Sequence, residues 1–230
     1  MINLSVIVPY FNEENLLKKS VNRLLENNIF EDIILIDNNS TDSSLNIAKK
    51  LASNNKNIFS FKSDGRKGKG TALNYAREHI TTSHVIVHDA DLEYFPDDIF
   101  EMFEVSKQYP NSMILGSRFI GTKERKNVYL RTHIANRFMS IIFSAINFYN
   151  VSDIATCYKL MPSDFFKKTN FREHGFAIDI EILSKFLKFN RSIKEVPIKY
   201  EGRSYSEGKK IKTIDGFKWL LGIIKYRFIN

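Results

Sequence analysis

Three apolar runs, separated by stretches long enough for amphipathic helices, constrain this chain more than anything else in it. Leu4-Ser5-Val6-Ile7-Val8-Pro9, Asp32-Ile33-Ile34-Leu35-Ile36-Asp37 and Asn57-Ile58-Phe59-Ser60-Phe61 have the length and β-branched content of buried strands. Asn12 is placed to cap a helix whose Leu17, Val21, Leu24 and Leu25 share one face. Asn38 to Asp42 form a turn and helix cap, after which Leu45, Ala48 and Leu51 carry the next helix. The order βαβαβ predicts an α/β fold with a mostly parallel sheet, helices on both faces and right-handed crossovers.

A further run, His84-Val85-Ile86-Val87-His88, ends in two carboxylates, Asp89 and Asp91, followed by Glu93 and a helix opening at Pro96. Ligands of open α/β sheets bind at the C-terminal ends of the strands, so these carboxylates face a crevice. Hard oxygen ligands at that place suit a divalent cation holding a phosphate-bearing substrate. Asp-x-Asp is also a common surface turn, and the run alone does not choose.

The familiar glycine signatures are missing. The first strand-to-helix turn, Pro9-Tyr10-Phe11-Asn12-Glu13, has no glycine, which excludes a dinucleotide fingerprint. Gly65-Arg66-Lys67-Gly68-Lys69-Gly70-Thr71 lacks the lysine that a P-loop carries before its hydroxyl residue. It reads as a basic entry to a helix over Thr71 to His79, with Lys69 beside amides that suit a nucleotide, or as a solvated basic loop. Ser112 to Ser117 form another strand, ending at Arg118, whose planar fork matches phosphate oxygens.

With 230 residues, 43% hydrophobic and 26% charged, the chain suits one large domain. Its only cysteine, Cys157, excludes an internal disulfide. A net charge of +8 favours anionic partners: nucleotide phosphates, nucleic acid or an acidic membrane face. A nucleic-acid-binding module is the reading from a different class. The aromatic residues keep core-like spacing, and the acidic cluster Asp89, Asp91, Glu93, Asp97 and Asp98 repels phosphate unless a metal intervenes, so nucleic acid is not an expected partner. No basic leader precedes the first apolar run and no stretch reaches spanning length, so a cytoplasmic protein is expected.

In order and spacing, Val6-Ile7-Val8-Pro9-Tyr10-Phe11-Asn12-Glu13, Asp37-Asn38-Asn39-Ser40-Thr41-Asp42, Gly68-Lys69-Gly70, Asp89-Ala90-Asp91 and Gly116-Ser117-Arg118 resemble the nucleotide-sugar glycosyltransferases of the GT-A fold, family 2. The branch they resemble most includes the dolichyl-phosphate and polyprenyl-phosphate sugar transferases. The resemblance implies a single GT-A (Rossmann-like) domain over 1–230, with a nucleotide-sugar half to 120 and an acceptor half over 121–230. It implies that Pro9, Tyr10, Glu13 and Asp37 hold base and ribose, that Lys69, Gly70, Asp89 and Ala90 line the nucleotide-sugar pocket, and that Asp91 and Glu93 hold Mg2+ or Mn2+ against the diphosphate. Arg203 and Lys209 keep the spacing of an arginine and lysine that, in such transferases, contact substrate phosphates. Asp91, Arg118 and Arg203 are the expected catalytic residues, and Ser117 and Arg131 the contacts to an acceptor phosphate.

The activity so implied is inverting, metal-dependent transfer of one sugar from a UDP- or GDP-sugar to a polyprenyl phosphate. The alternative acceptor is a saccharide hydroxyl in cell-envelope polysaccharide synthesis, which would need a base, and Asp153 is the candidate. His88 and His133 are read as packed or surface residues. Two apolar stripes remain: Ile134, Phe138, Ile141, Ile142, Ala145 and Phe148, then Phe217, Leu220, Leu221, Ile224 and Phe228. They either close the core or lie on an anionic bilayer as C-terminal amphipathic helices, with Trp219 and Tyr226 at headgroup level. Any membrane contact is then peripheral, or supplied by a membrane partner protein.

Overall fold

A computed structural model describes residues 2–203 and 213–228, with the side chains of the final helix described from Trp219 onward. The expected alternation is present: β1 (Leu4–Tyr10), α1 (Leu17–Leu25), β2 (Phe30–Asp37), α2 (Ser44–Asn54), β3 (Ile58–Lys62), α3 (Lys69–Ala76), β4 (His84–Val87), α4 (Asp97–Gln108) and β5 (Met113–Ser117). The second half adds β6 (Arg125–Lys126), α5 (Leu130–Asn147), β7 (Lys159–Pro162), α6 (Ser163–Lys168), α7 (Ile178–Phe189), β8 (Ile193–Pro197), β9 (Tyr200–Glu201) and α8 (Thr213–Phe228). Seven strands form one sheet in the order β3-β2-β1-β4-β7-β5-β8, and β6 pairs with β9 separately. Central strands β1 and β4 are apolar along nearly their whole length because both sheet faces are covered, the pattern of parallel rather than alternating strands.

Several local expectations change. Asn12 does not cap α1, which starts four residues after the Glu13 turn begins to wind, at Leu17. Asn12 instead adopts a positive φ of 50° and joins two loops, accepting from the Thr41 amide at 2.8 Å and donating its own amide to Ser40 Oγ at 3.0 Å. The glycine-rich entry ends earlier than expected, so Lys69 is the first residue of α3 and is buried. The sheet also carries one antiparallel strand. Short β7, which begins with a buried lysine, pairs with β4 on one side and β5 on the other.

The two apolar stripes resolve differently from each other. On α5 the buried positions are Met139, Ser140, Phe143 and Asn147, whereas Ile134, Phe138, Ile141 and Phe148 are 57%, 60%, 62% and 83% exposed. On α8, Leu221, Ile224 and Phe228 are exposed and Leu220 is half-buried, while the side chain of Phe217 lies outside the described residues. Of the two alternatives, Trp219 and Tyr226 follow the core: both are buried, and the Tyr226 hydroxyl bonds Glu173. The reason is helical phase: α8 packs on α7 and α5, and Trp219 and Ile223 on that side join the core while Leu221, Ile224 and Phe228 stay exposed. No helix among the described residues is long and apolar enough to cross a membrane.

Candidate active site

The C-terminal ends of β1, β2 and β4 open on a cleft of about 660 Å³. Pro9, Tyr10 and Glu13 line it from β1 and the turn beyond, Asn38 from the end of β2, and Asp89, Ala90, Asp91 and Glu93 from the loop after β4. Arg118, Arg131 and Arg203 line it as well, from the end of β5, the first turn of α5 and the segment after β9. Acidic groups and cations thus meet across one space.

The acidic group is short of compensating charge. Burial, then the neighbouring Glu93 and Asp89, push the Asp91 carboxyl up to about 7. Arg203 offsets this only in part, its guanidinium standing 3.5 Å from Asp91 and 3.7 Å from Glu13. Glu93 is tied to the same C-terminal segment: it accepts from the Arg203 amide at 2.9 Å and the Tyr200 hydroxyl at 2.6 Å. A carboxylate pair this poor in positive charge fits a divalent cation that takes its remaining ligands from diphosphate and water. Asp91 and Glu93 are the residues that would hold it.

Lys69 lines the cleft as expected, but its ammonium is engaged by carboxylates. Its ammonium bridges Asp89 at 3.1 Å and Asp179 at 3.1 Å, and Lys159 reaches the other Asp179 oxygen at 3.1 Å. Burial alone would lower the Lys69 ammonium, but Asp179 and Asp89 hold it well above its ordinary value. In return, against a burial that would raise it, Lys69 holds the Asp89 carboxyl below the usual carboxylate range. The four charges tie α3, β4, β7 and α7 together at the floor of the cleft. Buried ions survive only when paired in this way.

Glycines make that arrangement possible. A Cβ on Gly70 would lie 2.0 Å from the Glu173 carbonyl oxygen, and one on Gly68 2.0 Å from that of His174. The loop bearing those carbonyls is itself pinned, because the buried Glu181 carboxylate accepts from the amides of Arg172 and Glu173. Gly70 therefore serves by permitting close packing and does not line the cleft.

Of the residues expected at the site, Ser117, Asp37 and the candidate base Asp153 do not line the cleft. Ser117 is fully buried with its hydroxyl 2.6 Å from that of Ser152, so it cannot meet an acceptor phosphate. Asp37 is buried too, accepting from the Ser40 amide at 3.1 Å, and its neighbour Asn38 lines the cleft in its stead. Asp153 is no free base: Arg118 grips both of its oxygens, at 2.8 Å and 2.9 Å. His88 lies sealed between Ser20 and Tyr158. His133 packs edge-on to Phe119. Cys157 borders the cleft but is buried, and that burial pushes its thiol up, away from nucleophilic use. Lys209 lies outside the described residues.

Asp179, Phe176, Tyr200 and Trp219 line the cleft without having been assigned to it from the sequence. Asp179 left a signal, a carboxylate between the apolar residues Ile178 and Ile180 at the start of a helix. Tyr200 and Trp219 left none, because their positions depend on segments far away in sequence.

Residues 5–169 match the profile of glycosyl transferase family 2. The UDP-N-acetylglucosamine–dolichyl-phosphate N-acetylglucosaminyltransferase of Methanococcus voltae is 28% identical over 93% of this chain and 91% of its own length. A dolichyl-phosphate β-glucosyltransferase of Trichomonas vaginalis is 23% identical over 97% of this chain and 72% of its own. Among solved structures, glucosyl-3-phosphoglycerate synthase of Mycobacterium tuberculosis, in complex with Mn2+, UDP and phosphoglyceric acid, superposes with a TM-score of 0.76. It is 14% identical, with 100% of this chain and 80% of that chain covered. The same enzyme with Mg2+ and UDP gives a TM-score of 0.73 at 15% identity, over 100% of this chain and 80% of that one.

Proposed function

The chain belongs to glycosyl transferase family 2 and has the GT-A fold, and from that premise we propose that it transfers one sugar from a nucleotide sugar to a polyprenyl phosphate. The observation that carries this reading is the cleft itself, where the carboxylates after β4 face Arg118, Arg131 and Arg203. One side suits a metal-bound diphosphate and the other an acceptor that is itself a phosphate. The names of the two dolichyl-phosphate transferases support the same acceptor.

In this reading Pro9, Tyr10, Glu13 and Asn38 hold the nucleoside, and Asp89 and Ala90 lie along the diphosphate. Asp91 and Glu93 hold Mg2+ or Mn2+, which when bound neutralises charge on the leaving diphosphate. Arg203, already beside Asp91, adds a second positive charge there. Arg118 is kept rigid by Asp153 and by the face of Tyr200, 4.9 Å from its guanidinium carbon, and Arg131 stands at the start of α5. Both orient the acceptor phosphate. The acceptor oxygen attacks the anomeric carbon from the face opposite the nucleoside diphosphate, giving inversion in one displacement. A phosphate monoester has its second ionisation near about 6, so it arrives ionised and needs no protein base. That agrees with the engagement of Asp153 and His88 elsewhere.

The exposed faces of α5 and α8 belong to the same reading. Arg131, Thr132, Ala135 and Asn136 of α5 and Trp219 of α8 line the cleft, while Ile134, Phe138, Ile141, Leu221 and Ile224 of the same helices stay exposed. Lys225 and Arg227 accompany the apolar residues on α8. The occupant that fits an apolar face with basic flanks, beside the mouth of a site for a lipid phosphate, is an anionic bilayer surface.

The test is transfer of radiolabel from UDP- and GDP-sugars to polyprenyl phosphate in detergent with Mg2+ or Mn2+, followed by organic extraction. Label should enter the organic phase and fall at least about a hundredfold in Asp91→Asn, the scale of losing a principal electrostatic group at a reacting centre. Label found instead on saccharide acceptors would replace the lipid acceptor with a hydroxyl.

A further inference from the structure

The wall of the cleft where α7 and α8 meet has no part in the chemistry described so far. Trp219 lies on it, 7% exposed, lining the cleft together with Phe176 and Asp179. Its Nε1–H has no hydrogen-bond partner among the described residues. Buried indole N–H groups ordinarily find an acceptor. Tyr226, a polar side chain that α8 also buries, has one in Glu173.

Position and charge define what that acceptor is. Lys69 touches Asp89 and Asp179 at 3.1 Å each, so the start of α7 is one ammonium away from the carboxylates assigned to the diphosphate. In that reading the cleft between those carboxylates and α8 is left for the group that a nucleoside diphosphate carries onward, its sugar. A phosphate would be poorly received there. Asp179 is a carboxylate, and the lysines beside it, Lys69 and Lys159, are both bound to it. The cations that suit a phosphate, Arg118, Arg131 and Arg203, come from other elements. What this wall offers is aromatic surface, from Phe176 and Trp219, and one neutral N–H donor, which suits the C–H faces and oxygens of a sugar.

We propose that Trp219 contacts the donor sugar, its Nε1–H donating a hydrogen bond to a hydroxyl or acetamido oxygen, and so takes part in selecting which sugar is transferred. This rests on the nucleotide-sugar reading given above. The indole thereby gains in the complex an acceptor that the described residues do not provide. The contribution belongs to the sugar and not to the nucleotide.

Trp219 is the sole tryptophan of the chain, so its fluorescence reports on this position alone. The full chain is titrated in Mg2+ with UDP, UDP-glucose, UDP-N-acetylglucosamine, GDP and GDP-mannose, and separately with polyprenyl phosphate in detergent. Calorimetry measures binding in parallel. The nucleotide sugar that binds should shift or quench the emission, while its nucleoside diphosphate binds without doing so. Trp219→Phe, which keeps an aromatic ring and lacks the N–H, should weaken that nucleotide sugar about five- to tenfold, the scale of one hydrogen bond. Its affinity for the nucleoside diphosphate should stay within about twofold. The proposal is overturned by equal emission changes with and without the sugar, by a response to polyprenyl phosphate alone, or by unchanged affinity in the variant. If Trp219→Phe does not fold, the wild-type titration decides by itself. If no nucleotide binds at all, the nucleotide-sugar reading falls and this one with it.

Discussion

His88 and Asp153 are titratable residues whose partners, not their identities, fix what they do. The His88 ring accepts or donates to Ser20 at 3.1 Å and Tyr158 at 2.9 Å, and both partners are distant in sequence. Burial pushes it from 6.5 down to about 4, against the pull of Asp89. A histidine lowered in the folded state contributes its full stability above the unfolded value and loses it as pH falls toward the folded one. Stability should therefore drop by about 2 kcal/mol between about pH 7 and about pH 5 on account of this ring. Urea unfolding at the two pH values measures it, and His88→Gln, which keeps a donor and an acceptor, should flatten the slope. The same dependence on remote partners explains which site residues could be read from the sequence. Asp89, Asp91 and Glu93 follow directly from a strand end, and Arg118 and Arg203 from motif spacing. Ser117 could not be excluded without seeing Ser152, nor Asp153 without seeing Arg118 close on it.

Elements were legible where they are local and long. The first three strands and two helices could be placed from apolar runs and turn residues alone, whereas β7 could not, since four residues beginning with a lysine carry no strand signature. Its lysine is tolerated because Asp179 and the Thr156 carbonyl receive the buried ammonium. The contact of α3 with the loop before α7 is another such tertiary feature. Gly70→Ala sets a methyl group 2.0 Å from a backbone oxygen that Glu181 holds in place. Overpacking of this kind costs about 1–3 kcal/mol. For a chain of this size a thermal melt should fall by roughly 2–4 °C for each kcal/mol lost. Gly175→Ala, in the same loop with nothing within 4 Å of the added carbon, is the matched control and should melt with the wild type.

At the scale of the whole molecule, the exposed faces of α5 and α8 call for a partner that the sheet and its helices do not supply. Ile134, Phe138 and Ile141 together replaced by serine should reduce flotation with vesicles containing anionic lipid at least about tenfold, given about 1.5–3 kcal/mol for each side chain fully buried. Circular dichroism and soluble transfer to a detergent-dispersed acceptor should stay as in the wild type, and unchanged flotation would remove the bilayer as the occupant. The sheet order has a consequence of its own, for synthesis. Strands β4 and β5 are not hydrogen-bonded to each other, and both wait for β7, whose Met161 and Pro162 pair with β4 and whose Lys159 and Leu160 pair with β5. A ribosome must add about 70 residues between β4 and β7, which at ~5–20 residues per second takes roughly 4–14 s. Throughout that interval the nascent chain carries an open edge at His84 and Val85, the kind of edge that recruits other strands. The rate of translation across α5 thus becomes a determinant of yield, and slow stretches there favour misassembly over the native sheet.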